Sequence, residues 1–473
     1  MGTPSLPQTF YLTSTQRKAW RVPKNVIVIE SGTELPYRGD GVTYGGKAYG
    51  LTQQRILMDK VRRVASIARF NNVIDNPAMT SPPSITSAAT NSQTNAYYLA
   101  NSGSLTNQDK VRVVGGVPFV NLSSYLAVKS VSSTTGSNIG PAGTYQNGWY
   151  IEFMTAAPTV SIGYYRTAET GVMVAVSENG GPMQYASFTP TTIYGSACGT
   201  NNGSVTVTFG SSKIRRVRFE FGNQQVDEVC GAGGVLSVRG IFVDPSYSIW
   251  KPRDVDTIHA AIIGDSYTAG APRDSGMQSV NWSRVLAAKM GWHAVQMALG
   301  GTGYSKANGA LPAAADPLRL ADLVAQPYDV FVFALGTNDV TGNDGTAVVL
   351  PDLAAKALTC FQAARAANPI APIFILGPWV RPTFPPQTQL DQANAVLAAF
   401  NSFNDSNSYH VPIYIDSSGN WLPGTSYQGN IKNSADVSQH YFWTDAIHPL
   451  YVGHYLLGDR SASEFREKIK LAQ

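Results

Sequence analysis

The chain has 473 residues, 35 Lys and Arg against 31 Asp and Glu, a formal charge of +4, and only 14% charged residues. Its length is about two to three times that of an ordinary domain, so several packed units are expected. With so small a net charge and no dense run of Lys and Arg, a phosphate-tracking nucleic-acid surface is excluded, and no apolar run has the length of a membrane span.

The first residues, Met1-Gly2-Thr3-Pro4-Ser5-Leu6, are not followed by the basic and apolar regions of a secretory signal, and they lack the Ser or Thr that myristoylation needs. If the protein acts outside a cell, the expectation is release by lysis, by a dedicated machine, or within a particle. Residues 1–80 hold one strand-like run, Val26–Ile29, and one helix-like run, Thr52–Phe70. That is little apolar material for an independent core, so this part is expected to need a partner. Lys60, Arg62, Arg63 and Arg69 interleave with apolar residues at helical spacing, which reads as a solvated helix face. Residues 81–110, rich in Ser, Thr and Asn after Pro82-Pro83, read as a linker.

From 111 to 252 short alternating runs are divided by Gly, Asn, Ser and Pro: Gly148–Phe153, Thr159–Tyr165, Val172–Val176, Ser204–Phe209, Ile214–Phe221 and Leu236–Val243. Such spacing predicts an antiparallel, jelly-roll-like β-sandwich. The sharp alternation of Arg215–Phe221 predicts one packed and one wet face. Cys198 and Cys230 share this region, where pairing is open to them. Cys360 falls within an apolar helical pattern and reads as a buried thiol.

Over 257–473 the pattern becomes apolar strands alternating with amphipathic helices. The strands are expected at Ile258–Ile263, His293–Ala298, Val330–Leu335, Pro372–Leu376 and Pro412–Ile415. Helices are expected at Trp282–Met290, Pro317–Ala325, Asp352–Ala367, Gln389–Phe403 and Gly453–Leu471. This predicts an α/β domain of three layers, a parallel sheet covered on both faces, whose ligands bind beyond the carboxyl ends of the strands.

Gly264-Asp265-Ser266 follows the first strand, Gly300-Gly301-Thr302-Gly303 the second, and Gly336-Thr337-Asn338-Asp339 the third. Asp445-Ala446-Ile447-His448-Pro449 stands near the C-terminus. An ester hydrolase needs a nucleophile, a base, and donors aimed where a carbonyl oxygen becomes negative. Ser266 in a tight turn at a strand end suits the first role. His448, with a carboxylate three residues before it, suits the second, with Asp445 as its orienter. The Ser266 and Gly303 N–H groups and the Asn338 carboxamide suit the third. Each motif alone is more often an ordinary turn; their order on successive strand ends gives them weight. Trp379, Arg381 and Trp443 follow or precede these segments as candidate cleft residues. No metal or other cofactor is implied, no pair of carboxylates suggests a glycosidase, and no Gly-x-Ser-x-Gly elbow is present.

Together the four motifs resemble the sequence blocks of the SGNH, or GDSL, hydrolase superfamily, over roughly residues 257–460. The resemblance implies a flavodoxin-like fold and a serine esterase using these residues. It departs from the family pattern at Ala298, where many relatives open the second block with asparagine, so that loop must be held by other contacts, and Gly300 and Gly301 stand as alternatives to Gly303. A sandwich before such a domain is similar to the arrangement in one group of carbohydrate acetylesterases, which implies O-acetyl groups on a polysaccharide as substrate. The N-terminal piece and the Tyr- and Asn-rich middle are similar to bacteriophage tail spike or tail fibre proteins. That likeness implies a virion or extracellular location, phage tail or baseplate partners and a homotrimer, with residues 1–80 as the attachment or oligomerisation segment. The alternatives are an acyltransferase to sugar hydroxyls and a catalytically inert glycan-binding or structural tail protein.

Overall fold

The computed structural model describes residues 9–12, 27–30, 35–38, 47–48, 50–70, 72–91, 93–121, 124–129, 149–166, 171–187, 191–192, 201–221, 236–253, 257–270, 281–309, 311–324, 326–342, 347–379, 386–413 and 448–471. The chain divides into two compact units, Met1–Val61 and Arg62–Gln473. In the first, Thr9–Leu12, Ile27–Glu30, Leu35–Arg38 and Lys47–Ala48 form a four-stranded sheet in that order. A helix, Gly50–Phe70, runs from the first unit into the second.

Within the second unit, two mainly antiparallel sheets form the sandwich. One is built around Thr159–Arg166 between Leu236–Val243 and Asn201–Thr208, the other around Arg215–Phe221 between Gly171–Glu178 and Trp149–Thr155. Their inner faces share a core that includes Trp149, Phe153, Ile162, Val205, Phe219 and Phe221. Ser84–Ala88 pairs with Asn201–Thr208, and Asn95–Tyr98 pairs with Leu236–Val243. Residues expected to form a linker thus contribute strands to the sandwich. Ser84–Ala88 alternates between exposed and half-buried positions, and a sheet edge needs little apolar sequence because its pairing rests on backbone hydrogen bonds.

Arg215–Phe221 corrects a second expectation. Its polar positions are not all wet: Arg215 is 2% and Glu220 2% exposed, and Glu152 on the paired strand is fully buried. Glu152 and Glu220 lie on the side that faces the following domain, so their burial comes from a partner outside the strand's own sheet, whereas Arg215, on the same side as Val217 and Phe219, is buried within the sandwich over the Phe209 ring and against Glu178.

That following domain is a five-stranded parallel sheet. Its strands are β1 (Ile258–Gly264), β2 (Trp292–Ala298), β3 (Val330–Ala334), β4 (Ile373–Leu376) and β5 (Ser408–Val411), in the order β2-β1-β3-β4-β5. The helices are α1 (Ser266–Ala269), α2 (Trp282–Met290), α3 (Pro317–Leu323), α4 (Leu353–Ala367), α5 (Pro386–Phe403) and α6 (Tyr451–Leu471). Successive side chains point to opposite faces of the sheet. Ala261, Ile263, Phe331, Phe333, Ile373 and Ile375 share one core with Phe361 of α4 and Val396 of α5. On the other face Phe374 stacks on Phe465 of α6, with ring centroids 4.1 Å apart, and Trp292 packs beside both rings. Cys360 lies in the first of these cores, where burial pushes its thiol up to about 12. Among the described residues no helix is long and apolar enough to cross a membrane.

The fifth strand precedes its expected position, Pro412–Ile415. Proline has no N–H to give to a ladder, and pairing with β4 ends at Val411, immediately before Pro412. Helices begin where local chemistry caps them. Asn281 accepts the Arg284 N–H at α2, and Asp316 accepts the Leu318 N–H at α3, with Pro317 in its first turn.

Candidate active site

The strand order reverses direction between β1 and β3. In such a sheet, loops leaving the two central strands part to opposite faces and open a crevice beyond their carboxyl ends. Ser266 follows β1 there, at the start of the short helix α1. Asp265 caps this helix by accepting the Tyr267 N–H at 3.0 Å. Gly264 is required behind the turn because a Cβ would collide with the Thr268 side chain, which is fully buried over it.

His448 Nε2 stands 2.9 Å from Ser266 Oγ, bridging 182 residues of chain. With the ring proton on Nδ1, the hydroxyl donates to Nε2, the arrangement a general base needs. Asp445 and Trp443 lie outside the described residues, as do Arg381, His440, Cys198 and Cys230. The other described histidines are elsewhere. His259 and His293 meet edge to face at the far end of β1 and β2, burial holds His293 down to about 3, and burial lowers His410 to about 4. His454 accepts the Trp282 N–H through Nδ1 at 3.4 Å.

Asn338, after β3, donates its carboxamide Nδ2 to Thr302 O at 3.0 Å and lies 3.4 Å from Asp265 Oδ2. The amide is thereby oriented by both neighbouring loops. Gly303 is not free for the part expected of it. Its N–H donates to Lys306 O at 2.9 Å, and its missing Cβ leaves room for the Asp339 carboxylate. Gly300 is the glycine that borders the nucleophile: a Cβ built on it would lie 3.7 Å from the Ser266 Cβ. Among the described residues, neither the Gly300 nor the Ser266 N–H has a hydrogen-bond acceptor.

The support lost at Ala298 is supplied by residues that sequence reasoning did not single out. Asp339 accepts three backbone N–H groups, from Tyr304 at 2.8 Å, Ser305 at 2.7 Å and Lys306 at 2.9 Å. Arg319, 4% exposed, donates to Met297 O at 2.9 Å, Thr302 Oγ1 at 3.1 Å and Gly264 O at 3.4 Å. One guanidinium therefore joins the ends of β1 and β2 to the loop beside the nucleophile. Asn308 donates to Gly300 O at 3.0 Å, and Gln392 of α5 holds the Gly336 and Thr337 carbonyls at 2.9 Å each. Asp339 stood inside a quoted motif; Arg319, a single cation in an amphipathic helix, carried no local signal.

Trp379 is 2% exposed and does not line an open cleft. Its ring stacks on Tyr267, 5.6 Å between centroids and 5° between planes, and meets Trp282 edge to face. Tyr267 in turn lies 5.8 Å from the His448 ring. Trp379 thus backs the residue beside the nucleophile, as aromatic surface buried in a core does. Burial pushes the carboxyl of Asp265 up to about 7 and that of Asp339 up to about 6, against the opposing pull of the N–H groups they accept.

Residues 262–456 match the model of the GDSL-like Lipase/Acylhydrolase family. The C-terminal domain is thus an SGNH/GDSL hydrolase domain, and the protein is a carboxylic ester hydrolase. Two solved structures resemble the chain beyond that domain. A salicylyl-acyltransferase from a tetracycline biosynthetic pathway aligns with 75% of this chain and 95% of its own, at 14% identity and a TM-score of 0.52. A family two carbohydrate esterase from Cellvibrio japonicus aligns with 82% of this chain and 99% of its own, at 14% identity and a TM-score of 0.51. At such identity the likeness is one of fold. No curated protein is significantly similar to the chain in sequence.

Proposed function

We propose that the esterase removes short acyl groups, acetyl first among them, from hydroxyls of a polysaccharide by two-step acyl transfer through Ser266. The observation that carries this reading is the 2.9 Å contact between Ser266 Oγ and His448 Nε2 at the sheet's switch point. His448 takes the hydroxyl proton as Oγ attacks the ester carbonyl, then gives it to the sugar oxygen as the C–O bond breaks, so that the sugar departs with a free hydroxyl. Water, deprotonated by the same imidazole, releases the acid from the acyl-enzyme. Asp445 is assigned to hold the proton on Nδ1. The developing oxyanion is assigned to the Ser266 N–H, the Gly300 N–H and the Asn338 carboxamide hydrogen that makes only the long 3.4 Å contact to Asp265, with Gly300 replacing Gly303 because the Gly303 N–H is taken by Lys306 O.

A carbohydrate substrate is supported by the sandwich that precedes the hydrolase domain, a combination also spanned by the match to the Cellvibrio japonicus carbohydrate esterase. An acyltransferase shares the same fold, so acceptor choice must be measured. Wild type and Ser266→Ala are to be incubated with acetylated polysaccharide, with and without an acceptor sugar. Free acetate from wild type alone is the expected result. Acetate release equal in both proteins would refute the role of Ser266, and acetyl appearing chiefly on the acceptor would make the protein a transferase. Attachment to a phage tail as a trimer is a further part of the proposal, supported by the separate N-terminal unit. Light scattering showing a monomer, together with absence of the protein from purified particles, would remove it.

A further inference from the structure

A cavity of about 250 Å³ lies between the polar face of the sandwich and the β2–α2 side of the hydrolase domain, lined on one side by Arg216, Arg218 and Glu220, on the other by Arg284, Trp292 and Gln296. It is distinct from the crevice at Ser266, which contributes nothing to its walls. Glu152, directly behind the cavity, is held between Arg112 at 2.9 Å, Arg216 at 2.6 Å and Arg218 at 3.0 Å. Glu220 contacts Arg218 at 3.2 Å and accepts the Tyr185 hydroxyl at 2.9 Å. Four guanidinium groups therefore surround two carboxylates, a local excess of positive charge that an anion in the cavity would offset.

The excess is concentrated on two side chains. Arg216, 35% exposed, uses Nη2 on Glu152 while its buried Nε has no partner among the described residues. Arg284 makes two long contacts there, 3.4 Å to Phe221 O and 3.7 Å to Glu220. Opposite them stand a buried donor and a buried acceptor without protein partners among the described residues, Trp292 Nε1 and Gln296 Oε1. The orientation of the Gln296 amide follows from its neighbours. Asn281 Oδ1 accepts the Arg284 N–H and so must also accept from Gln296 Nε2, at 3.1 Å, leaving Oε1 as the open atom. A bare oxyanion cannot donate to Gln296 Oε1. A hydroxyl both donates and accepts, and so satisfies the glutamine and the indole together.

We propose that this cavity binds an acidic sugar of monosaccharide size, its carboxylate on Arg216 and Arg284 and its hydroxyls on Gln296 and Trp292. Bidentate guanidinium-carboxylate pairing supplies the charge recognition, and Tyr150, Ala287, Ala288 and Trp292 are among the residues that line the rest of the cavity. The site stands independently of the acyl-transfer reading, because none of its residues touches Ser266 or His448.

The test is calorimetric titration of the full-length protein with D-glucuronate, D-glucose and inorganic phosphate as separate probes. It is repeated on Arg284→Gln, which removes charge, and on Ala288→Met, which fills the cavity from α2 and leaves every ion pair in place. Hydrolysis of a small synthetic acetyl ester at the wild-type rate certifies that each variant is folded. Glucuronate is expected to bind wild type at least about ten-fold more tightly than glucose or phosphate, and to lose at least about ten-fold in both variants. Absence of glucuronate binding to wild type would overturn the proposal. So would glucose binding equally well, phosphate binding equally well, or affinity unchanged in both folded variants.

Discussion

Gly303 and Asp339 test the loop beside the nucleophile more sharply than either residue alone. A methyl group at 303 would enter the space of the Asp339 carboxylate, which is fixed by three N–H donors at 2.7 to 2.9 Å. Hydrogen bonds to a charged acceptor contribute about 1.5 to 3 kcal/mol each, and overpacking adds about 1 to 3 kcal/mol, partly offset as the loop relaxes. Gly303→Ala is therefore expected to destabilise the protein by about 3 to 5 kcal/mol. Asp339→Ala should cost about 3 kcal/mol, since it leaves the Tyr304 N–H without its acceptor while those of Ser305 and Lys306 are better placed to reach water. In the double variant the added methyl occupies the volume the carboxylate vacated. The combined loss should then fall short of the sum of the single losses by about 1 to 3 kcal/mol. Urea unfolding followed by tryptophan fluorescence measures all four proteins of the cycle. Losses additive to within about 0.5 kcal/mol would refute the contact and, with it, the account of how the loop is held without an asparagine at 298.

Asn338→Ala should lower kcat toward a synthetic ester by about 100- to 1,000-fold with a nearly unchanged unfolding midpoint; a loss below about three-fold would remove Asn338 from the oxyanion site. Arg319→Lys should lower stability by about 2 kcal/mol or more and reduce kcat, because a single ammonium cannot reach Met297 O, Thr302 Oγ1 and Gly264 O together; wild-type values in the lysine variant would show that the charge alone suffices. Asp265 and Asp339 have folded pKa values of about 7 and about 6, both above the ordinary 3.8. The unfolded chain releases these protons near pH 4 while the folded protein keeps them, so stability should fall as pH rises from about 4 to about 7 and then level off. Asp265→Asn keeps an acceptor for the Tyr267 N–H and should flatten the upper part of that slope. Unfolding midpoints measured across this range that rise with pH in wild type, relative to the variant, would reverse the sign and refute the assignment.

The strands and helices around the candidate site were legible in the sequence because their periodicity is local. Val330–Ala334, apolar at all five positions, has to be covered on both faces, and α2 is bounded by its own cap residues, Asn281 and Gly291. Short motifs also carried Ser266 and Asn338, because tight turns at strand ends demand particular residues there, and His448, through the Asp-x-x-His-Pro pattern shortly before the last helix. The edge strands Ser84–Ala88 and Asn95–Tyr98 were not legible, since backbone pairing with residues more than a hundred positions away, rather than apolar content, makes them strands.

The sequence by itself determined which segments become strands and helices in the hydrolase domain and which loops follow the strand ends, because a chain's turns and apolar spacing act over a few residues. Only the tertiary structure decided what those loops do to one another. The Lys306 carbonyl takes the Gly303 N–H, Arg319 reaches across two strand ends, and the charged face of Arg215–Phe221 is closed off by a domain that begins some forty residues later. Each of these outcomes depends on a partner that is remote in the chain, and the cost of burying a polar group is settled by whichever partner the fold brings to it.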